Sequence, residues 1–124
     1  MSLRCVIVDD NVAFLRTAAA TLRQEGVEVV EFARSVVEAL AHASTYQPDV
    51  MLVDIQLGED DGFDIAAQLD GHAVPVVLIS TYSESDMTDF VAASPAIGFL
   101  SKMDLSRAAI EALLAGAADG PGSG

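Results

Sequence analysis

The sequence predicts a three-layer α/β domain, in which a doubly wound (βα)5 parallel sheet carries helices on both faces. Short apolar runs alternate with segments of helical period along the chain, which is the order of elements that parallel sheets require. The run 50–53 is continuously apolar and therefore suits a strand buried on both faces. The chain has 124 residues, of which 52% are apolar, enough for one domain around a single core.

The first strand–helix unit is predicted from an apolar run followed by an amphipathic segment. Residues 3–8 form the strand candidate, and the polar sequence Asp9-Asp10-Asn11 follows it. Asn11 or Asp10 is suited to cap the helix, and Gly26 stands where a helix would end. The helix carries an apolar stripe at i, i+3, i+4 and i+7, made of Leu15, Ala18, Ala19 and Leu22.

The second unit combines an alternating strand with a capping box. Residues 27–32 read Val-Glu-Val-Val-Glu-Phe, a mixture of apolar and charged side chains that predicts a less buried strand. Ser35 and Glu38 have the spacing of a capping box at the start of the next helix. The apolar stripe of that helix consists of Val36, Ala39, Leu40 and Ala43.

The central strand runs from Val50 straight into a carboxylate at Asp54. A charged residue is costly to bury without a partner, so Asp54 either caps the following turn or belongs to a site. The acidic turn 58–62 comes next. It leads into a short helix with the apolar residues Phe63, Ile65, Ala66 and Leu69.

Two further units complete the predicted sheet. Strand 76–79 ends at Ser80, and a capped helix is expected between residues 83 and 94. Strand 97–100 ends at Ser101-Lys102, and Ser106 is suited to cap the last helix. The inward-facing residues of that helix are predicted to be Ile110, Leu113 and Leu114.

Charge and composition exclude several classes of function. The formal net charge is −13, from nineteen acids and six bases, so the domain would repel a phosphate backbone and we expect no direct contact with nucleic acid. No apolar run approaches the roughly 18 residues that span a bilayer, and no secretory signal is recognisable. Cys5, the only cysteine, lies inside an apolar run and is expected to be buried. We therefore expect a soluble, cytoplasmic protein.

Polar side chains collect where the predicted strands end, and in a parallel sheet these ends share one edge. The residues concerned are Asp9, Asp10, Asp54, Ser80 and Lys102. Three carboxylates at one edge repel each other unless a cation is present, and oxygen ligands favour Mg²⁺, with Mn²⁺ as a substitute. Mg²⁺ is often bound through one or two carboxylates and phosphate oxygens, so the site would be open to a phosphoryl group. The alternative, taken for the Asp9-Asp10 pair alone, is a simple helix cap.

Lys102 is the only lysine of the chain, and it follows an apolar strand. An ammonium at that position would pair with an anion in the crevice, and the Ser80 hydroxyl would donate to another oxygen. Each residue taken alone is better explained as a surface residue. Their occurrence together with the acidic cluster favours a site.

The sequence resembles the receiver domain of two-component response regulators, from residue 3 to about residue 117. Five motifs in the right order carry this resemblance: Val6-Ile-Val-Asp-Asp10, Val53-Asp54-Ile-Gln-Leu57, Asp61-Gly62, Pro75-Val-Val-Leu-Ile-Ser80 and Gly98-Phe-Leu-Ser-Lys102. The resemblance implies a flavodoxin-like sheet with strand order 2-1-3-4-5. It divides the chain into a receiver domain, 1–117, and a flexible glycine-rich tail or truncated linker, 118–124.

The resemblance also implies how a phosphoryl group would be accepted. Asp54 would be the phosphoacceptor for a partner phosphohistidine. Asp10 would bind Mg²⁺ together with Asp54 and the backbone carbonyl of Gln56, while Asp9 would assist through water. Lys102 would pair with the phosphoryl group.

Further positions would report or tune the modification. Ser80 would shift toward the phosphoryl oxygens, with Thr81 beside it in the phosphate-binding region. Phe99 would swing inward as part of the switch. Gln56 and Tyr82 occupy the positions that tune dephosphorylation in this family.

The sequence departs from the family pattern at several loop positions. Met103 replaces a proline that often follows a cis peptide bond, and we expect a trans bond because cis costs about 2.5–4 kcal/mol before a non-proline residue. Gly58 replaces a common proline, and Thr81 a common alanine or glycine. We predict that the bulk of Thr81 and Tyr82 hinders the attacking water and prolongs the phosphorylated state.

The expected partners are a sensor histidine kinase or a histidine phosphotransfer protein. A C-terminal output domain or a partner protein would receive the signal, and a homodimer would form through the α4-β5-α5 face of the family.

Three alternative functions compete with the receiver domain. A phosphatase of the haloacid dehalogenase type would need an acid where Gln56 stands, and a nucleotide-binding module would need a glycine-rich loop after the first strand. The third, a pseudo-receiver acting only in protein interaction, would not need the full set of acids, hydroxyl and lysine.

Overall fold

The computed structural model describes residues 3–57, 60–70, 74–81 and 95–118. The helix predicted between residues 83 and 94, Tyr82 and most of the glycine-rich tail lie outside the described residues. Within the described part, no helix is both long and apolar enough to cross a membrane.

Five parallel strands form one sheet in the order β2-β1-β3-β4-β5. Their bounds are β1 Leu3–Val8, β2 Val27–Ala33, β3 Val50–Asp54, β4 Val76–Ser80 and β5 Gly98–Ser101. The strand order 2-1-3-4-5 confirms the predicted flavodoxin-like fold. Chain order reverses between β1 and β3, and this reversal leaves a crevice at the carboxyl edge of the sheet.

Four described helices and one short turn surround the sheet. The helices are α1 Val12–Gln24, α2 Val36–Tyr46, α3 Gly62–Asp70 and α4 Arg107–Ala118. A 3-10 turn, Lys102–Asp104, follows β5 directly. A short antiparallel pair, Gln56–Leu57 with Asp60–Asp61, lies between β3 and α3 and was not predicted.

The two faces of the sheet bury separate cores, as alternation along the strands requires. On one face, strand residues such as Val6 and Met51 pack against α2 and α3. On the other, Ile7 and Leu52 pack against α1 and α4. The predicted stripes of three helices face these cores: Leu15, Ala18, Ala19 and Leu22 of α1; Val36, Ala39, Leu40 and Ala43 of α2; Ile110, Leu113 and Leu114 of α4.

Cys5 is fully buried in the α1/α4 core, as predicted. Burial raises the pKa of the Cys5 thiol to about 12, and the positive charge of Arg23 opposes that rise. A protonated, buried thiol behaves as a small apolar side chain.

Side-chain caps start α1 and α2 at the predicted positions. Asn11 caps α1, and its Oδ1 accepts from the Phe14 backbone N–H at 3.1 Å. Ser35 Oγ accepts from the Glu38 N–H at 3.2 Å, which is the first half of the predicted capping box. Glu38 Oε1 accepts from the Arg34 N–H at 3.1 Å, one residue before the position that the box motif predicts.

Arg107 ties the start of α4 to the end of α1. Its backbone N–H donates to Glu25 Oε1 at 2.7 Å, and its Nη1 donates to the Glu25 carbonyl at 3.0 Å. Its Nε pairs with Glu111 one turn later. Gly26 adopts a φ of +86°, which carries the chain from α1 into β2 beside this arginine.

Candidate functional site

Strand register brings the ends of four strands to one edge of the sheet. Val8 pairs with Val53, Asp54 with Ile79, and Ser80 with Ser101. Asp9 and Lys102 directly follow β1 and β5. The predicted site residues of these strands therefore lie together at the crevice.

Asp9 is fully buried and its carboxylate is held from two sides. Its backbone N–H donates to the Ala33 carbonyl at 3.0 Å, which extends the contact between β1 and β2 by one residue. Oδ1 accepts from the Asn11 N–H at 2.8 Å, and Oδ2 lies 2.6 Å from Lys102 Nζ. Because a buried carboxylate needs charge compensation, Lys102 is its counter-ion in this structure.

Asp9, Asp10 and Asp54 form the predicted carboxylate cluster. One oxygen from each lies within 4.8 Å of the others. Asp54 is 7% exposed at the end of β3, whereas Asp10 is exposed to solvent. Three carboxylates against the single ammonium of Lys102 leave a formal excess of two negative charges. Hard oxygen donors with that excess fit a divalent cation such as Mg²⁺.

Lys102 lies between the acids and an aromatic ring. Its Nζ is 3.6 Å from Asp54 Oδ2, in addition to the closer contact with Asp9. The ammonium also sits over the Phe14 ring, 4.3 Å from the centroid. The side chain is only 13% exposed, so solvent weakens these contacts little.

The loop after Lys102 differs from the family pattern, because Met103 stands where a proline is common. The Lys102–Met103 peptide bond is trans, as expected. Ser101 Oγ accepts from the Met103 N–H at 3.3 Å and so caps the 3-10 turn, while the Met103 side chain is 93% exposed. This turn holds Lys102 at the edge of the crevice without a proline.

The remaining predicted residues differ in how fully the structure describes them. Ser80 is buried at the end of β4, and Thr81 follows it at the exposed edge. Phe99 is buried in the α2/α3 core, on β5. The backbone of Gln56 belongs to the short antiparallel pair, and Tyr82 lies outside the described residues.

Phe14 was not identified as a site residue from the sequence. The available signal was an aromatic residue in the first turn of a helix that starts directly after Asp9 and Asp10. His42 is half-buried on α2 and makes an edge-to-face contact with Tyr46 at 5.5 Å between ring centroids.

The chain matches the family described as the response regulator receiver domain over residues 5–115. It is 28% identical over 100 residues to the transcriptional regulatory protein PdtaR of Mycobacterium tuberculosis, covering 80% of this chain and 49% of the relative. It is 35% identical over 107 residues to the protein-glutamate methylesterase/protein-glutamine glutaminase 2 of Syntrophomonas wolfei, covering 85% of this chain and 31% of that protein.

Among solved structures, the fold is similar to the signal receiver domain of the putative response regulator NarL from Mycobacterium tuberculosis. The TM-score is 0.78 at 30% identity, covering 96% of this chain and 98% of that one. The chain spans about half of PdtaR and about a third of the methylesterase. Family match, strand order and site geometry agree, and the chain belongs to the receiver domains of two-component response regulators.

Proposed function

We propose that the chain accepts a phosphoryl group on Asp54 from the phosphohistidine of a sensor histidine kinase or a histidine phosphotransfer protein. The observation that carries this proposal is the cluster of Asp9, Asp10 and Asp54 with Lys102 beside it. Asp54 is the member at the end of the central strand, 3.6 Å from the ammonium. A carboxylate placed there can act as the nucleophile, while its neighbours balance charge.

The transfer exchanges one bond to phosphorus for another. A carboxylate oxygen of Asp54 forms the new P–O bond as the P–N bond of the donor breaks, and the donor imidazole nitrogen keeps the electron pair. Bound Mg²⁺, or Mn²⁺ in its place, would neutralise charge on the carboxylates and on the phosphoryl oxygens. The residues that would hold the ion are Asp10, Asp54 and the backbone carbonyl of Gln56, with Asp9 assisting through water.

Lys102 would change partners during this reaction. In the present structure its ammonium compensates Asp9 and approaches Asp54. A phosphoryl group on Asp54 would offer it a more highly charged partner, which a flexible lysine stem can reach. The Ser80 hydroxyl and the Thr81 region would complete the set of groups around the phosphoryl oxygens.

The added charge on Asp54 would change the conformation of residues on the neighbouring strands. We propose that Ser80 and Phe99 change position together, and that Gln56 and Tyr82 set how long the phosphorylated state lasts. Phe99 starts from a buried position. A change of charge that biases a two-state element is the usual physical basis of such a switch.

The domain limits, location and output also belong to the proposal. Residues 1–117 would form the receiver domain, followed by the tail 118–124, in the cytoplasm. The domain would perform only its own phosphorylation and dephosphorylation, and a C-terminal output domain or a partner protein would act on the signal. A homodimer would use the face of the last strand, the last helix and the helix predicted over 83–94. Nucleic acid would not contact this domain, because its net charge is −13.

Intact mass after incubation with phosphoramidate and Mg²⁺ tests the proposal. The wild type should gain one phosphoryl group, and the gain should require the metal. Asp54→Ala should gain none, whereas Asp104→Ala, which removes an exposed acid on the 3-10 turn, should react normally. A gain that survives in Asp54→Ala would refute the assignment, and no gain in the wild type from phosphoramidate or a kinase would favour a pseudo-receiver.

A further inference from the structure

We infer that Phe14 is a positioning residue, whose ring face holds the Lys102 ammonium at the mouth of the acidic cluster. The contact is direct, with Nζ 4.3 Å from the ring centroid. Lys102 is mostly shielded from solvent, a condition in which cation–π attraction is strongest. The inference rests on the proposed function, because the ammonium is held for the phosphoryl group that Asp54 would accept.

A closed chain of contacts fixes the ring in place. Asp9 Oδ1 accepts from the Asn11 N–H, and Asn11 Oδ1 in turn accepts from the Phe14 N–H. The Phe14 ring then lies under Lys102, whose ammonium returns to Asp9 Oδ2. One short segment, 9–14, therefore sets both the anionic partner and the aromatic partner of the lysine.

The carboxylate partners and the aromatic partner of Lys102 respond differently when a cation binds. Asp9 and Asp54 are the carboxylates that a divalent cation would also use, so their attraction for the ammonium would fall on cation binding. The Phe14 ring carries no charge for the cation to neutralise. Its share in holding the ammonium should therefore rise at the stage when the lysine has to meet the phosphoryl group.

If Phe14 acted only through packing, the reaction rate would depend on the size of its ring and not on the charge of its face. Phe14 is half-buried and also packs against the α1/α4 core, so a change of volume would disturb it in any case. Apolar packing depends on the size of the ring, whereas cation–π attraction depends on the negative charge of its face. Fluorination withdraws that charge with little change in size, and it separates the two roles.

The test replaces Phe14 with mono-, di- and trifluorinated phenylalanine in the full chain. The rate of phosphorylation from phosphoramidate at saturating Mg²⁺ should fall stepwise with fluorine number, to about a tenth for the trifluorinated ring. Phe14→Leu should be at least as slow, and Phe14→Tyr should keep most of the rate. The same fluorinated residues at Phe32, which packs against the same core, should leave the rate unchanged.

A second readout does not depend on phosphorylation. The ε-protons of Lys102, measured by NMR without metal, should be shifted upfield by the ring and return to ordinary values in Phe14→Leu. If the wild type shows this shift but accepts no phosphoryl group, the proposed function fails while the Phe14 contact stands. Unshifted ε-protons in the wild type, or a rate that stays flat across the fluorinated series, would overturn the inference.

Discussion

Two basic residues, Lys102 at the carboxyl edge and Arg107 at the junction of α1 and α4, are surrounded in opposite ways. Lys102 faces the buried carboxylates of Asp9 and Asp54, and its side chain is 13% exposed. Arg107 is 34% exposed and divides its donors between Glu111, the Glu25 carboxylate and the Glu25 carbonyl. Both connect segments that are distant in sequence, but only Lys102 lies beside buried carboxylates.

The difference shows which cluster can do chemistry. The Arg107 junction uses backbone groups and exposed acids, so its contacts stabilise the packing of two helices and leave no excess charge buried. The Lys102 cluster keeps two more negative than positive formal charges in a crevice. Such a cluster is poorly arranged for stability alone and well arranged to take up a cation and a phosphoryl group.

Lys102→Met should have the largest effect. It keeps most of the apolar stem but leaves Asp9 buried without a counter-ion, so the free energy of unfolding should fall by about 3 kcal/mol in urea titrations without metal. Mg²⁺ should restore part of this loss, because it compensates the same carboxylates. Arg107→Met is the matched control, with a loss of about 1 kcal/mol relative to the wild type that Mg²⁺ should leave unchanged. Equal losses in the two variants would contradict the distinction between the clusters.

Gly26→Ala probes the backbone beside Arg107. The φ of +86° is strained for alanine, and the free energy of unfolding should fall by about 1 kcal/mol. The new Cβ would also lie 2.5 Å from Arg107 Nη1, but the end of an arginine can move. The loss should therefore persist when Arg107→Ala is added. Gly116→Ala is the control: it lies in α4 with open space around it and should stabilise the protein by about 0.5–1 kcal/mol.

Asp10→Asn should stabilise the protein in the absence of metal, whereas most substitutions destabilise. Removing one of three clustered carboxylates relieves repulsion, so thermal or urea unfolding without metal should show stabilisation of up to about 1 kcal/mol. The same variant should lose most of the stabilisation that Mg²⁺ gives the wild type. Asp104→Asn, outside the cluster, should change neither quantity. Destabilisation by Asp10→Asn would mean that the three acids do not repel each other.

Met103→Ala should have the smallest effect. The side chain is 93% exposed, and the cap from Ser101 uses only the Met103 backbone N–H. The free energy of unfolding should stay within about 0.5 kcal/mol of the wild type, and phosphorylation should keep its rate. A slower reaction with a small phosphodonor would place Met103 in the site itself.

Most of the fold and the polar members of the site were predictable because they follow from local pattern and from one topological rule. Apolar runs and helical stripes located the strands and helices, and the carboxyl-end rule then collected Asp9, Asp54, Ser80 and Lys102. The short pair 56–57 with 60–61 was missed, because two-residue strands carry no periodic signal.

Contacts between distant side chains were the other part that sequence reasoning could not supply. Arg107 and Glu25 are 82 residues apart, and no local pattern links them. The contact between Phe14 and Lys102 was also not predictable, because the direction of the Phe14 ring depends on how α1 packs against the sheet. Residue type and spacing gave no means to predict the contact of Lys102 with Phe14 or of Arg107 with Glu25.

Chemical localisation of the phosphoryl group shows whether Asp54 is the phosphoacceptor. After reaction with phosphoramidate and Mg²⁺, reduction with borohydride converts an acyl phosphate to an alcohol, and peptide mass then identifies the reduced residue. We expect reduction at Asp54 and at no other acid, and we expect it to depend on Mg²⁺. Reduction at Asp9 or Asp10 instead, or a phosphoryl group on a residue that borohydride does not reduce, would contradict it.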